Sequence, residues 1–165
     1  MRILNWNICG LGDTDKCSLI KDATHSSRAD VACLQETKLQ SLKAWNPSTV
    51  SCFEVDKCRF CITVNFQSNS NGNAATLTTV YAPCDSSERE YFFQHLNQAA
   101  ALVGGSGILL GDFNMYRSAH EKSRGRINWS VMEHFNSWIR EHGLDDIPIA
   151  NRKYTWSNKR RTNAC

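Results

Sequence analysis

Five polar residues, far apart in the chain, have the side-chain types that phosphoester chemistry uses: Asn7, Glu36, Tyr81, Asp112 and Asn114. Glu36 closes the apolar run DVACLQ, and a carboxylate there can meet a hard cation such as Mg²⁺, which takes oxygen ligands and keeps several waters. Asp112, in Gly111-Asp112-Phe113-Asn114, could orient or deprotonate a water while the Asn114 amide holds a phosphate oxygen. These two point to one side, with Phe113 turned away, if strand geometry continues through them. Tyr81, in Val80-Tyr81-Ala82-Pro83, could set a phenol against a transferring phosphoryl group. Asn7 alternates with Trp6, so Trp6 can enter a core while Asn7 faces the site.

Each residue taken singly has an ordinary reading too. Glu36 could be a surface carboxylate in a loop, and Asp112 with Asn114 an Asx turn after a strand. Tyr81 could be packed at a strand end with its hydroxyl satisfied, and Asn7 could be a turn amide.

The elements that must position them follow from periodicity. Strands are expected at Arg2 to Cys9, Asp30 to Gln35, Arg59 to Phe66, Ala75 to Tyr81 and Gly107 to Leu110, with a weaker one at Tyr154 to Trp156. Helices are expected from about Asp15 to Ser26, from Ser86 as a capped start to Val103, and from Trp129 to His142 with Gly143 as the stop. The stripe Trp129, Met132, Phe135, Trp138 and Ile139 reads as core packing. The polar segment QSNSNGN, residues 67–73, contains Asn-Gly and predicts an antiparallel hairpin between the runs that flank it. Hairpins mixed with helices point to sheets packed face to face with helices outside, and away from a purely parallel doubly wound sheet. All five polar residues then fall at C-terminal strand ends, in one layer.

The 165 residues suffice for one domain, 1–165, with a real core. At 41% hydrophobic and 21% charged, with three Pro and nine Gly, the chain has neither disordered nor low-complexity character. The net charge of +3 is unevenly spread. Residues 1–116 carry nine Lys+Arg against eleven Asp+Glu, and residues 117–165 ten against five. A basic late segment suits a polyanion, because Lys and Arg displace counterions condensed on phosphates, and it equally suits a solvated surface. Within it, Arg124, Arg126, Arg160 and Arg161 are candidate contacts to the phosphates of such a polyanion.

There is no apolar leader after Met1 and no run of eighteen or so apolar residues, so neither secretion nor a membrane span is expected. The eight cysteines are expected to be reduced, in an intracellular compartment, nucleus or cytoplasm. Cys58-Arg59-Phe60-Cys61 lacks the second close pair of a structural zinc site, and on a strand its two thiols would face opposite sides. The five histidines show no ligand spacing and are expected at the surface.

Four motifs in order, LNWNICGL from Leu4, CLQETKL from Cys33, TVYAP from Thr79 and GDFN from Gly111, resemble those of the endonuclease/exonuclease/phosphatase superfamily. Glu121-Lys122-Ser123, DDIPI from Asp145 and YTWSN from Tyr154 resemble its LINE-type retrotransposon branch, especially plant members. The resemblance implies a four-layer α/β sandwich of the DNase I-like type. It also implies dependence on Mg²⁺ or Mn²⁺ and hydrolytic nicking of DNA that exposes a 3′-hydroxyl. By the same resemblance Glu36 binds the metal, Asp112 orients or activates water, Asn114 and Asn7 position the phosphate, and Tyr81 supports the phosphate or leaving group. Two departures accompany it. Residues 40–55 look compressed and lack the family's Gly-Gly strand, so a sheet is expected to lose a strand. The chain also stops before the family's later Leu-Asp-Arg segment and terminal Ser-Asp-His motif, so the fold is expected to be incomplete and catalysis impaired. A non-catalytic, nucleic-acid-binding remnant and another phosphoesterase of the superfamily are the alternatives.

Overall fold

The computed structural model describes residues 1–8, 10, 14–36, 43–103, 107–122 and 125–148. Residue contacts divide the chain into two units, Met1–Asn114 and Met115–Cys165.

The first unit holds two sheets. β1 (Ile3–Asn7), β2 (Val31–Gln35) and β3 (Lys43–Trp45) form one, in the order β1-β2-β3. β4 (Val50–Lys57), β5 (Cys61–Ser68), β6 (Ala74–Tyr81) and β7 (Gly107–Asp112) form the other, in that order. Two helices connect parallel neighbours. α1 (Thr14–Ser27) leads from β1 to β2, and α2 (Arg89–Leu102) leads from β6 to β7. A parallel pair needs such a crossover, because its strands enter from the same end.

Alternation decides which face meets the other sheet. Val31 and Cys33 of β2 pack with Val50 of β4, Val64 and Phe66 of β5 and Leu77 of β6, joined by Ile3, Ile62, Ile108 and Leu110. These are every-second residues of their strands, so one face of each sheet forms a shared apolar interior. On the other face of the second sheet lie Cys61, Thr63, Thr78 and Val80, all buried, with the two threonine hydroxyls 3.0 Å apart. α2 packs against β5 and buries Phe92, Phe93, Leu96 and Ala99. Sheets face to face with helices outside is the α/β architecture expected from the sequence.

The hairpin of residues 67–73 is present. Ser68 N donates to the Asn73 carbonyl at 2.9 Å, and Gly72 takes φ +72°, a left-handed value that glycine adopts without strain. The cap of α2 differs from expectation. Asp85, not Ser86, accepts from the Ser87 N–H, and Ser86–Glu88 form a 3-10 turn ahead of the helix. Residues 40–55 also differ. Two strands that the sequence did not announce, β3 and β4, occupy this region as the outer members of their sheets.

The second unit is built on α3 (Trp129–Glu141), capped by Asn128, whose side chain accepts from Val131 N, and ended by Gly143 at φ +61°. Phe135, Trp138 and Ile139 are buried, whereas Trp129, expected in the same stripe, is 62% exposed because it opens the helix. Arg117 is held locally. Its guanidinium donates to Asn136 Oδ1 at 3.1 Å and pairs with Asp146 at 2.5 Å, and Asn136 donates back to the Arg117 carbonyl at 2.8 Å. The weak strand expected at Tyr154 to Trp156 lies outside the described residues.

Candidate functional site

Both sheets end their parallel strand pairs in the first unit's polar residues. Asn7, the last residue of β1, is opposite Gln35, the last of β2. Tyr81, the last of β6, is opposite Asp112, the last of β7. Glu36 follows Gln35 directly.

The structure brings three of the five residues into direct contact. Glu36 Oε1 accepts from Asn7 Nδ2 at 2.8 Å and from the Tyr81 hydroxyl at 2.9 Å. Glu36 takes φ +52°, uncommon for a residue with a side chain, and its carbonyl accepts from Gly10 N at 2.5 Å. Left-handed backbone at Glu36 turns the chain sharply out of β2. A residue held in that region marks a place where surrounding structure over-determines the geometry, a pattern concentrated at functional sites.

Tyr81 is 39% exposed, but its hydroxyl lies toward carboxylates. Desolvation first, then the hydrogen bond to Glu36 and its charge, push the phenol up to about 12, with Asp112 adding in the same sense. Tyr81 is therefore a neutral hydrogen-bond donor across the physiological range, and both Glu36 and Asp112 are close enough to act on it electrostatically.

Asp112 and Asn114 depart from the expected geometry. β7 ends at Asp112, Asn114 takes φ +48°, and Asn114 N donates to Asp112 Oδ1 at 3.0 Å. The tetrapeptide is an Asx turn, so the two side chains do not follow strand alternation. The turn still serves the site. Asn114 Nδ2 donates to the Ala82 carbonyl at 2.7 Å and Ala82 N donates to the Asp112 carbonyl at 2.8 Å, which ties the loop after β7 to the loop after β6.

Gln35 was not among the residues singled out from sequence. It is 6% exposed and its Nε2 donates to the Val80 carbonyl at 2.7 Å, joining β2 of one sheet to β6 of the other directly beneath Glu36 and Tyr81. Gly111, at φ +144°, lies against the same bond. A Cβ there would run into the Val80 carbonyl oxygen and the Gln35 amide. The signal was available, since Val31, Cys33 and Gln35 share one strand face and an amide on an otherwise apolar face needs a partner.

Arg126 is exposed, and its carbonyl accepts from Lys122 Nζ at 2.6 Å. Arg124, Arg160 and Arg161 lie outside the described residues. His95, expected at the surface, has both ring nitrogens buried without a hydrogen-bond partner, 4.4 Å from Tyr91 and 5.7 Å from Phe60 between ring centroids. An apolar gap of about 30 Å³, lined by Val31, Trp45, Val64, Phe66 and Leu77, lies in the core and is too small for more than a water.

No group of three or more His, Cys, Asp or Glu side chains is placed to hold a metal among the described residues. The donor set that is present is of the hard-oxygen type: the Glu36 carboxylate, the nearby Asp112 carboxylate and flanking amides. That chemistry fits Mg²⁺, which is commonly held by one or two carboxylates while keeping its waters, and does not fit zinc. Among the described residues no helix is long and apolar enough to cross a membrane.

A family model described as "Endonuclease/Exonuclease/phosphatase family" matches residues 4–164. No curated protein matches the chain. Solved structures do. The endonuclease domain of TRAS1, a telomere-specific non-LTR retrotransposon, is similar at 14% identity and a TM-score of 0.62, over 86% of this chain and 70% of that one. The human Nocturnin catalytic domain is similar at 16% identity and 0.53, over 83% and 69%. A functionally unknown conserved protein from Enterococcus faecalis V583 is similar at 13% and 0.55, over 83% and 72%. At these identities the likeness is one of fold.

Proposed function

The chain belongs to the Endonuclease/Exonuclease/phosphatase family, and from that premise we propose that it is a metal-dependent DNA phosphodiesterase of the LINE retrotransposon type, with impaired activity. The observation that carries the reading is the convergence of Asn7, Tyr81 and Glu36 on one carboxylate oxygen, beside Asp112, at the ends of four strands. The plant LINE-like motifs and the fold likeness to the TRAS1 endonuclease domain support the retrotransposon branch over a phosphatase of small molecules.

Glu36, with Asp112 nearby, would hold Mg²⁺ or Mn²⁺, which when bound offsets charge developing on the phosphoryl oxygens. Asp112 accepts a proton from a water as its oxygen attacks phosphorus. The bond from phosphorus to the 3′-oxygen breaks, and that oxygen leaves as a 3′-hydroxyl after taking up a proton. Tyr81, held neutral, has one O–H, which rests on Glu36 in the free chain and would turn to the phosphate or leaving oxygen once the cation takes up the Glu36 carboxylate. Asn7 and Asn114 fix the frame, each using an amide N–H to hold Glu36 or the Ala82 carbonyl. Arg124, Arg126, Arg160 and Arg161 supply phosphate contacts along the DNA.

Activity is expected to be low, because among the described residues no group of three or more His, Cys, Asp or Glu side chains is placed to hold the cation. Nicking of supercoiled plasmid tests the reading. The expected result is slow Mg²⁺-dependent nicking that is abolished by Asp112→Ala. Nicking that persists in Asp112→Ala, or that needs no divalent ion, would overturn it.

A further inference from the structure

The turn between β4 and β5 carries Cys58-Arg59-Phe60-Cys61. On a continuous strand the two thiols would diverge, but pairing stops at Lys57 opposite Ile62, and Cys58 N donates to the Cys61 carbonyl at 2.9 Å. That bond makes Cys58 and Cys61 the facing residues that follow the Lys57–Ile62 pair at the end of the hairpin, and facing residues of an antiparallel ladder carry their side chains on the same side. Both are free thiols.

Their surroundings differ. Cys61 is 2% exposed, and burial, then the neighbouring Cys58, push its thiol well above the ordinary range. Cys58 is only half-buried, so a solvent-borne oxidant meets it first. The turn is already anchored. Arg59 pairs with Glu88 and sits 5.2 Å from the Phe60 ring centre, and Phe60 packs edge-on against Tyr91 and Phe92. Thiols carried on facing positions of an anchored turn need little further ordering to react with each other.

We propose that Cys58 and Cys61 form a reversible oxidation site, in which a hydroperoxide converts the pair to an intramolecular disulfide. The Cys58 thiolate attacks the peroxide oxygen, the O–O bond breaks, and the product is a Cys58 sulfenic acid with one water or alcohol released. The Cys61 sulfur then attacks the Cys58 sulfur, the S–O bond breaks, and hydroxide leaves with the Cys61 proton as water. Two electrons pass from the two thiols to the peroxide, and a dithiol reverses the reaction by exchange. The turn also touches the candidate site: the Phe60 carbonyl accepts from Tyr81 N at 2.9 Å, and Cys61 is opposite Val80.

The test treats the full chain with a few equivalents of hydrogen peroxide, blocks remaining thiols and digests with trypsin, which cuts after Arg59. The expected result is loss of two of the eight thiols, restored by dithiothreitol, with the dipeptide Cys58–Arg59 covalently linked to the peptide Phe60–Arg89. Cys84 lies in that same peptide, so the linkage must persist in Cys84→Ser and vanish in Cys58→Ser, a substitution at a half-buried position. In Cys61→Ser the Cys58 sulfenic acid has no partner, and dimedone labelling of Cys58 should exceed the wild-type level several-fold. Loss of the linkage in Cys84→Ser, intact thiols after treatment, or a linkage that survives Cys58→Ser would overturn the proposal.

Discussion

The Gln35 side-chain amide donates to the Val80 carbonyl at 2.7 Å, and that single bond crosses from one sheet to the other beneath the site. Gln35 precedes Glu36 and Val80 precedes Tyr81, so the bond sets the distance between the two residues whose side chains meet at 2.9 Å. Gly111 leaves the room it occupies.

Gln35→Met keeps the length of the side chain and removes its donors. The Val80 carbonyl then loses this partner in a buried setting, at a cost of about 1–3 kcal/mol. Urea denaturation is expected to give a lower midpoint with an unchanged slope, and the hydroxyl of Tyr81 should lose its fixed contact with Glu36. Stability equal to wild type would show that the bond does not tie the sheets.

Tyr81 gives a pH signature. Because its phenol is raised to about 12 from an ordinary 10, the folded state favours the protonated form. Its contribution to stability is fully present below pH 10 and is lost as pH rises through 12. In an absorbance titration of the four tyrosines, one should ionise late, and that component should disappear in Tyr81→Phe. Glu36→Gln should bring it part of the way back, since desolvation remains. Ionisation of all four together near pH 10 would contradict the hydrogen-bonded arrangement.

Binding to DNA should be mainly electrostatic. Each phosphate neutralised by Arg124, Arg126, Arg160 or Arg161 adds a slope of about −0.9 to the dependence of log affinity on log salt for a duplex. Replacing Arg126, which is exposed, with Ala is expected to make that slope shallower by about one without changing sequence preference. A salt-independent affinity would reject this role for the late basic segment.

Much of this arrangement could be read from the chain, for definite reasons. β1, β2, β5, β6 and β7 announce themselves because apolar β-branched runs stop at turn residues, and the Asn-Gly at residues 71–72 marks the hairpin. β3 and β4 do not, because they are outer strands. From Phe53 to Lys57 every residue of β4 is exposed, and its strand character comes from pairing with β5, not from its own pattern. In the candidate site, the sequence pattern placed Asn7, Glu36, Tyr81 and Asp112 at strand ends, where the structure has them. What it could not convey was the left-handed backbone at Glu36 and Asn114, which turns the GDFN segment from a strand into an Asx turn. Gln35 escaped because its role is set by a carbonyl 45 residues away.

Glu36 is the proposed seat of the divalent ion on which the chemistry depends. Mn²⁺ binding, followed by water-proton relaxation on the wild-type chain and on Glu36→Ala, tests that role without depending on turnover. The wild type is expected to bind weakly, since one carboxylate with limited help holds a hard cation poorly, and Glu36→Ala should lose most of that binding. Equal Mn²⁺ affinity in the two proteins would remove Glu36 from the metal role and contradict the proposed chemistry at its root.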